Sequence, residues 1–435
     1  MAKTYAQLRK KLDEYLSEHL SDLENAERVE ALGWYCQGLG LEIPDKTVFG
    51  IATRLTPDSV QATRQRVQRA LLRSRFEHTE VFERIQRTVY RDARSRVAAY
   101  CVDDTGFEKK GEQSVGVQRQ YSGTLGKVGN CQVAVTMHGV SDDFSACLNA
   151  RLYMPSDWLQ DSERLEKAGA PVDLEFETKT QIAIDMLRAA KANGAPARPV
   201  VSDAGYGDSR DFRDAITELG WKYAVAVSST TTVWPPGSSP SRPSRSGKQG
   251  RPSTTERDPN GVEPVRIDRL AEQLWSQGNF AEHCWRRGSK GAMRGLFCAV
   301  RVRSAERRTK GKPPSEAIWL LLERDEAQPS GFRYYLSSLP HSASVERLAR
   351  LAKVRWRIER DYQDMKQKLG LDQYEGRRWG GFHRHFAMVA LVHAFLSLHR
   401  ESFSPYGPTG AMELARLSSS ATRRVVSVDR PLPQL

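Results

Sequence analysis

Apolar residues recur at three- and four-residue steps through the start of the chain, which is the spacing of one face of an α-helix. The run from Leu8 to Leu23 shows this spacing most clearly. Thr56 followed by Pro57 is typical of a helix start, with Thr as the N-cap and Pro in the first turn. We therefore predict that residues 1–96 are helical. The helix after Pro57 carries several arginines, namely Arg64, Arg66, Arg69, Arg73 and Arg75.

From residue 98 the pattern changes to short apolar runs separated by turn residues, which predicts strands. The first run, 98–102, ends in Asp103 and Asp104. Three strands in succession suggest an antiparallel meander, and the helices after them predict an α/β domain with one mixed sheet. After the first strand we predict strands over 131–140 and 146–154, a helix over 179–193, a strand over 198–202 that ends in Asp203, a helix near 210–219 and a strand over 223–227.

The chain beyond residue 227 departs from this alternation. Residues 228–261 are rich in Ser, Pro, Gly and Thr, which predicts a mobile loop. The pattern then predicts a β-rich insertion within the α/β domain, with strands over 296–302, 318–322 and 333–336.

Helical spacing returns at Ser344 and continues through Glu359, which we place in the middle of one long helix. A second helix is predicted over 379–399. The Ser-, Arg- and Pro-rich segment 418–435 is predicted to be a frayed tail.

The net charge narrows the classes of partner. The 435 residues include 66 Lys and Arg against 53 Asp and Glu, a net charge of +13. Such an excess favours nucleic acid first and an anionic membrane surface second. Residues 228–312 alone hold 17 basic and 7 acidic residues, a local excess of +10. A merely solvated segment does not need so strong a bias, so we interpret the insertion as contacting nucleic acid, and the arginines of 64–75 as contacting phosphates rather than forming a solvated basic face.

Other sequence features exclude several classes. The longest nearly apolar run, Phe386 to Leu398, has 13 residues, whereas a membrane-spanning helix needs about 20. The charged, amphipathic N-terminus does not resemble a secretory signal. The six cysteines are scattered without a CxxC pair, which argues against a zinc site and favours reduced thiols in a cytoplasmic protein.

Three acids have positions that suit metal chemistry: Asp104 and Asp203 at predicted strand ends, and Glu359 on the late helix. Neighbouring strand ends lie about 5 Å apart, so two carboxylates there can share an ion and a crossing helix can add a third. Hard oxygen ligands suit Mg²⁺ or Mn²⁺, and two such ions about 3.5–4 Å apart support phosphodiester chemistry. The competing interpretation is that these acids are ordinary cap and turn residues.

Four segments carry a more specific pattern: Val102–Phe107 with Lys109–Gly111, Arg119–Gly126, Asp203–Gly207, and Arg355–Glu359 with Leu369–Arg377. Together they resemble DDE-type bacterial insertion-sequence transposases, and look closest to the group typified by insertion sequence seven hundred and one. The resemblance implies an α/β fold with an RNase H-like mixed-sheet catalytic core, a helical N-terminal domain and a β-rich insertion.

The resemblance also implies that Asp104, Asp203 and Glu359 are the catalytic, metal-binding triad, holding two Mg²⁺ or Mn²⁺ ions. Asp104 is preferred over Asp103 because the related pattern places the ligand directly before Thr. Side chains of successive strand residues face opposite ways, so only one of the two can be the ligand.

Related transposases carry a Tyr, Arg, Glu, Lys signature on the Glu helix. Arg355 lies four residues before Glu359 and Lys366 seven after it. On one continuous helix these offsets put both cations on about the same face as the Glu, where they could hold phosphates. Ala352 stands where the signature has Tyr, so that DNA contact is missing or made by another residue. Charge alone suggests further DNA contacts at Lys109, Lys110, Lys127, Arg66, Arg69 and Arg73.

The remaining polar and aromatic residues near these motifs are interpreted as structural. Trp356 is more typical of a core position than of a base-stacking one. The others are structural histidines, His383 and His385, and solvated or salt-bridged acids, Asp103, Asp361 and Asp364.

The predicted function is a DNA transposase that binds the terminal inverted repeats of an insertion sequence and catalyses metal-dependent strand cleavage and strand transfer (cut-and-paste transposition). Its partners would be the double-stranded DNA of the transposon ends and target, in a homodimer or larger synaptic complex, with no membrane. Two alternatives remain open: a non-catalytic, domesticated DNA-binding regulator, and a metal-dependent DNA nuclease without joining activity.

On this interpretation the chain divides into five segments. They are a helical DNA-binding domain (1–96), the first part of the core (97–227), the basic loop and β-rich insertion (228–340), the second part of the core with the Glu helix (341–417) and a flexible tail (418–435).

Overall fold

A computed structural model describes residues 2–123, 126–241, 256–288, 291–306, 316–328 and 330–399. The predicted tail, the centre of the predicted 228–261 loop, and Thr124 and Leu125 of the second motif lie outside these residues. The chain forms two compact units. The first contains Met1–Val97, Asp104–Pro196 and Arg357–Leu435, and the second contains Ala98–Asp103 and Ala197–Trp356.

The first unit begins with five helices: α1 (Ala2–Leu20), α2 (Ala26–Leu39), α3 (Val48–Leu55), α4 (Val60–Arg73) and α5 (His78–Asp92). The helical character predicted for this region is confirmed. A 3-10 turn over Pro57–Ser59 precedes α4, and Thr56 makes no side-chain cap. Helix α4 therefore begins later than the Thr-Pro pattern predicts.

Four strands follow: β1 (Ala99–Glu108), β2 (Gln118–Ser122), β3 (Lys127–Val140) and β4 (Ser145–Leu152). In the first unit β3 pairs antiparallel with both β2 and β4, and it also neighbours β1. Strand β1 is longer than predicted, so Asp104 lies within the strand rather than at its end. The reason is long-range pairing beside β3, where the Lys109 N–H still donates to the Asn130 carbonyl at 3.0 Å.

Three helices complete this stretch: α6 (Ser156–Leu159), α7 (Ser162–Ala168) and α8 (Lys179–Ala192). Thr178 caps α8, since its side chain accepts a hydrogen bond from the Gln181 N–H and the Gln181 side chain reaches back to the cap. This capping box explains why α8 begins where the sequence pattern predicts.

The second unit is built on strands. Its elements are β5 (Val200–Ser202), α9 (Ala204–Gly207), α10 (Arg210–Glu218), β6 (Tyr223–Ala226), β7 (Thr232–Trp234), β8 (Val265–Arg266), α11 (Ile267–Ser276), β9 (Ala281–Gly288), β10 (Gly291–Ser304), β11 (Ile318–Arg324), β12 (Phe332–Ser337) and α12 (Val345–Lys353). The start of β1 pairs parallel with β5, and β5 pairs parallel with β6. Beyond β6 the strands run antiparallel in the order β12, β11, β10, β7 and β8, with β9 on β10. The predicted insertion is β-rich, and it extends the sheet.

The chain then returns to the first unit with α13 (Trp356–Gln367) and α14 (Trp379–Leu398). Helix α14 is buried on nearly every side and packs against α2, α4, α5 and β4. Arg384 donates to the carbonyls of Leu71 and Ser74, and His385 bonds to the Tyr35 hydroxyl at 2.8 Å. The structural role predicted for His385, and for the equally buried His383, is confirmed.

The second unit alone combines parallel strands (β1, β5 and β6) with antiparallel ones (β6, β12, β11 and β10), which is a mixed sheet with helices. The α/β class predicted from the sequence, with an RNase H-like mixed-sheet core, is confirmed. All six cysteines are free thiols. Within the described residues, none of the helices combines the length and the apolar character that a membrane span requires. The five-segment division of the chain stays a prediction.

Candidate active site

Asp104 lies on β1, half-buried, in the first unit. Its carboxylate forms an ion pair with the Lys179 ammonium, with Oδ2 and Nζ 2.9 Å apart. Lys179 is the first residue of α8, so the capped start of that helix positions its side chain. The sequence contained no signal for Lys179, because its partner is 75 residues away along the chain.

Asp103, the neighbouring acid, has a different partner. In the second unit it accepts a hydrogen bond from the Arg355 guanidinium at 2.9 Å. The salt-bridged role predicted for Asp103 is therefore confirmed, while the choice of Asp104 as a metal ligand stays a prediction. The pairing also gives Arg355 a protein partner that the sequence did not indicate.

Asp203 directly follows β5 in the second unit and caps the short helix α9. Its Oδ1 accepts a hydrogen bond from the Tyr206 N–H at 3.4 Å. Tyr206 is buried, and a Cβ on Gly207 would lie 1.9 Å from the Ala226 carbonyl oxygen. The Asp-Ala-Gly-Tyr-Gly motif thus holds Asp203 at the end of its strand through a cap, a core anchor and a close backbone approach.

The register of the parallel β1–β5 ladder relates the positions of the acids that follow the two paired segments. Val102 pairs with Ser202 in the parallel β1–β5 ladder. The residues after each of them, Asp103 and Asp203, therefore leave the ladder at the same edge of the second unit. Asp104 is the next residue along β1.

Glu359 is an exposed residue in the first turn of α13, and not in the middle of a long helix. The predicted helix is two helices, because α12 ends at Lys353 and α13 begins at Trp356. Their buried residues differ: Leu348 and Ala352 join an apolar cluster of the second unit, whereas Met365 is buried in the first.

The break corrects one argument from the sequence. Arg355 lies in the turn between the helices, so the expectation that Arg355 and Glu359 share a face of one continuous helix is wrong. Ala352, at the position of the signature Tyr, is buried in the same apolar cluster of the second unit as Leu348. Lys366 does lie on the same helix as Glu359, as expected.

Helix α13 is hydrogen-bonded to two strands of the first unit. The Tyr362 hydroxyl lies 2.7 Å from Thr136 Oγ1 on β3, and Lys366 Nζ donates to the Gly106 carbonyl on β1 at 2.8 Å. Gly106 is two residues after Asp104. The helix of Glu359 is therefore held on the strand of Asp104 by direct contacts.

A buried ionic network adds to this attachment. Asp361 is 3% exposed, lies 2.7 Å from His138 Nδ1 on β3 and accepts a hydrogen bond from the Ser145 hydroxyl. His393 Nε2 on α14 lies 3.6 Å from the same carboxylate. Asp361 is thus salt-bridged, as one of the two sequence interpretations proposed, but it is not solvated. A clue was available: His138 is a titratable residue within a strand predicted to be apolar.

The two central groups of this network stabilise each other's charged forms. Burial alone would lower the pKa of His138, but Cys147 and the Asp361 carboxylate together raise it to about 10. Burial would raise the pKa of Asp361, and the nearby His393 and His138 outweigh that effect and lower it. The pair is therefore a buried carboxylate with a buried imidazolium.

The predicted DNA-binding lysines of the first unit differ in exposure. Lys110 and Lys127 are exposed, whereas Lys109 donates to the Tyr374 carbonyl at 3.0 Å. Burial lowers the pKa of Lys109, and it lowers the pKa of Lys366 to about 8. Segments of two sequence motifs together line a cleft of about 500 Å³, and its lining includes Lys109, Lys110, Gln113, Asp372, Glu375 and Arg377.

Arg66, Arg69 and Arg73, three of the arginines on α4, also differ. Arg66 lies 2.6 Å from Glu30 and 3.4 Å from Glu27. Its guanidinium also stacks over the Trp34 ring, 4.5 Å from the centroid. Arg69 and Arg73 are exposed, and neither forms an ion pair within the described part of the chain. Trp356 has an analogous contact in the second unit, where Arg286 lies 4.6 Å above its ring.

The donor chemistry of the predicted triad fits a hard divalent cation. Asp104 and Asp203 are half-buried and Glu359 is exposed, so all three offer carboxylate oxygens that an ion can reach. Among the described residues, no three His, Cys, Asp or Glu side chains are grouped closely enough to form a metal site. The triad and its ions therefore stay a prediction.

Comparison with known proteins identifies the family of the chain. The family model described as DDE superfamily endonuclease matches residues 16–292, which is more than half of the chain. The chain belongs to the DDE superfamily endonucleases. The matched region of this DDE superfamily member contains Asp104 and Asp203, and Glu359 lies beyond it.

One relative of this DDE superfamily member has a more specific name. A stretch of 133 residues is 33% identical to the probable transposase for insertion sequence element IS701 of Microchaete diplosiphon. The stretch covers 30% of this chain and 32% of that relative. The chain thus matches about a third of the relative's length, and the resemblance to insertion-sequence transposases is confirmed.

Proposed function

We propose that this DDE superfamily member is a transposase that binds the ends of an insertion sequence, cuts the DNA there and joins the freed ends to target DNA. Besides family membership, one observation carries the proposal: the helix of Glu359 is hydrogen-bonded to the strand of Asp104 through Lys366 and Gly106. Two of the three proposed catalytic acids thus lie on elements that are fixed to each other.

The proposed reaction has two in-line displacements. In the first, water attacks phosphorus and the bond to the 3′-oxygen breaks, which leaves a 3′-hydroxyl and a 5′-phosphate. In the second, that 3′-hydroxyl attacks a target phosphodiester, a new P–O3′ bond forms and the target's own 3′-oxygen leaves. The protein forms no covalent bond in this scheme, so its contribution is positioning and charge stabilisation.

The residues have distinct proposed roles. Asp104, Asp203 and Glu359 would hold two Mg²⁺ or Mn²⁺ ions, which supply Lewis-acid stabilisation of the phosphorane-like charge when bound. Lys366 and Arg355 would contact phosphates near the cut bond. Lys109, Lys110 and Lys127 and the exposed arginines of α4 would contact the DNA backbone further away. We propose that the protein acts in the cytoplasm as a dimer or larger complex, so that both ends are held together.

The central experiment mixes the full chain with labelled DNA carrying the element ends and a supercoiled target plasmid, in Mg²⁺ and in EDTA. Joined products that vanish in EDTA are the expected result. Cutting without joining would favour the nuclease, and end binding without cutting would favour the non-catalytic regulator. Either outcome overturns the proposed transposase.

The arginines of α4 provide a test of backbone binding. Arg69→Ala and Arg73→Ala should each weaken duplex DNA binding and reduce the slope of log affinity against log salt by about 0.9, because each removes one phosphate contact. Arg66→Ala is the matched control, since Glu27 and Glu30 already neutralise that guanidinium. Fluorescence anisotropy over a salt series measures the slopes. Equal slopes for all four proteins would show that α4 does not contact DNA.

Lys179 provides a test of the metal site that does not depend on catalysis. Lys179→Gln removes the cation that holds the Asp104 carboxylate. Even a solvent-exposed ion pair contributes up to about 1 kcal/mol, and this one is half-buried, so Mn²⁺ affinity of the DNA-free protein should rise by about fivefold. Electron paramagnetic resonance of free Mn²⁺ measures this affinity. Lys191→Gln, at the other end of α8, is the control. Unchanged or weaker Mn²⁺ binding in Lys179→Gln would contradict the assignment of Asp104.

A further inference from the structure

The hairpin of β2 and β3 presents an exposed aromatic and apolar surface. Tyr121 on β2 is 61% exposed, and Val128, its direct partner across the hairpin, is 51% exposed. The two side chains are on one face, because residues opposite each other in an antiparallel pair point the same way. An exposed pair of this kind on an edge hairpin is suited to covering by another molecule.

The alternation along β2 fixes which residues face outward. Gln118 donates to the Asp157 carboxylate at 2.7 Å, Gln120 donates to the Cys131 carbonyl at 3.1 Å, and Ser122 is buried. Arg119 and Tyr121, which alternate with them, are exposed. Arg119 and Tyr121 therefore lie on the face of β2 opposite Gln118, Gln120 and Ser122.

The hairpin strands are cationic. Neither strand contains an Asp or Glu, and both Arg119 and Lys127 are exposed. Within the ranges that the structure describes, neither side chain forms an ion pair. Arg119 shares the face of Tyr121, whereas Lys127 is the partner of Ser122 on the other face. A surface that combines an aromatic ring with an unneutralised cation complements nucleic acid, whose bases stack and whose phosphates are anionic.

The hairpin is next to the proposed catalytic strand. Ser122 packs directly on Gly106 of β1, since a Cβ added at Gly106 would lie 2.0 Å from the Ser122 hydroxyl. Gly106 is two residues after Asp104 and accepts the hydrogen bond from Lys366. The inner face of the hairpin therefore contacts the strand of Asp104, at the residue that also holds the Glu359 helix.

We propose that the outer face of the β2–β3 hairpin binds the cut end of DNA, with Tyr121 stacked on an unpaired base and Arg119 on the adjacent phosphate. This inference rests on the proposed transposase function and extends it to a specific DNA-end contact. A second copy of the chain is the alternative occupant, because Tyr121 and Val128 are also an apolar patch.

The test uses the full chain and a short DNA duplex with an unpaired 3′ extension containing 2-aminopurine. Stacking on Tyr121 should quench the fluorescence of that base. Tyr121→Ala should abolish the quenching and weaken binding about 5- to 150-fold, the range of about 1–3 kcal/mol for one stacked base. Tyr121→Phe keeps the ring and should retain quenching and affinity. Phe176→Ala removes another exposed aromatic of the first unit and is the matched control.

The salt dependence of DNA affinity distinguishes a stacking contact from an ionic contact. Tyr121→Ala should leave the slope of log affinity against log salt unchanged, whereas Arg119→Gln should reduce it by about 0.7, one phosphate of a single strand. Wild-type quenching and affinity in Tyr121→Ala would overturn the proposal. So would a change in sedimentation mass in Tyr121→Ala without a change in DNA affinity, which would identify a second copy as the occupant.

Failure of this inference and failure of the proposed function give different results. Asp104→Asn should retain the 2-aminopurine quenching, because the hairpin is untouched. Quenching without any cleavage by the wild-type chain would contradict the transposase proposal and support the DNA-end contact. Cleavage and joining without quenching would remove the contact and leave the transposase.

Discussion

Replacing Asp104 with Asn is expected to reduce DNA strand cleavage at least about 100-fold while DNA binding stays within about twofold of wild type. Loss of an outer-shell partner of a metal ligand already costs about 10- to 100-fold, so loss of a ligand should cost more. The substitution removes one negative charge and no phosphate contact, so end binding should persist. Cleavage is measured on labelled DNA in Mg²⁺ and Mn²⁺, and binding by gel shift.

Asp103→Asn is the matched control for this prediction. It makes the same Asp-to-Asn change at the adjacent acid. In the wild-type chain the Asp103 carboxylate accepts a hydrogen bond from Arg355 in the second unit. We expect Asp103→Asn to retain cleavage within a few-fold, and Asp203→Asn and Glu359→Gln to behave like Asp104→Asn. Loss of cleavage in Asp103→Asn with normal cleavage in Asp104→Asn would show that the wrong acid was assigned.

Replacing Asp361 with Ala is expected to lower the free energy of unfolding by about 3–5 kcal/mol. Asp361 is the buried partner of His138, and removing one member of a buried pair leaves the other charge without compensation. Urea denaturation followed by circular dichroism measures the change. Cleavage should also fall, since α13 carries both Asp361 and Glu359.

Asp364→Ala is the control on the same helix. Asp364 pairs with the half-exposed Arg360 and Lys368, at 3.3 Å and 2.8 Å. Surface pairs of this kind contribute at most about 1 kcal/mol, so Asp364→Ala should be nearly as stable as wild type. Equal stability of the two variants would contradict the buried-pair assignment.

Local patterning predicted many elements well because the signals are local. Helix α8 has a capping box and an apolar stripe, and α14 is an apolar run, so both lie within a residue of the predicted positions. Strands β3 and β4 were also indicated by their apolar content. Strand β2 was not, because Gln118–Ser122 has no apolar run and its pairing with β3 decides its conformation.

The candidate site shows the same distinction between features that local patterns predict and features that long-range contacts decide. Its motif residues follow from their positions together with the family resemblance, whereas their partners do not. Lys179 reaches Asp104 across 75 residues, and His138 reaches Asp361 across 223. The break between α12 and α13 is not predictable from the pattern either, since the apolar residues of each helix keep helical spacing and differ only in the unit that buries them.

The sequence by itself determined the α/β class, the family resemblance, the basic character and the candidate acids, because these depend on residue type and short-range spacing. The tertiary structure alone decided which cations meet Asp103 and Asp104, where the Glu359 helix begins, and which residues attach it to the sheet. Those features arise from long-range packing and from the burial of charged groups, whose energies depend on partners that no local pattern specifies.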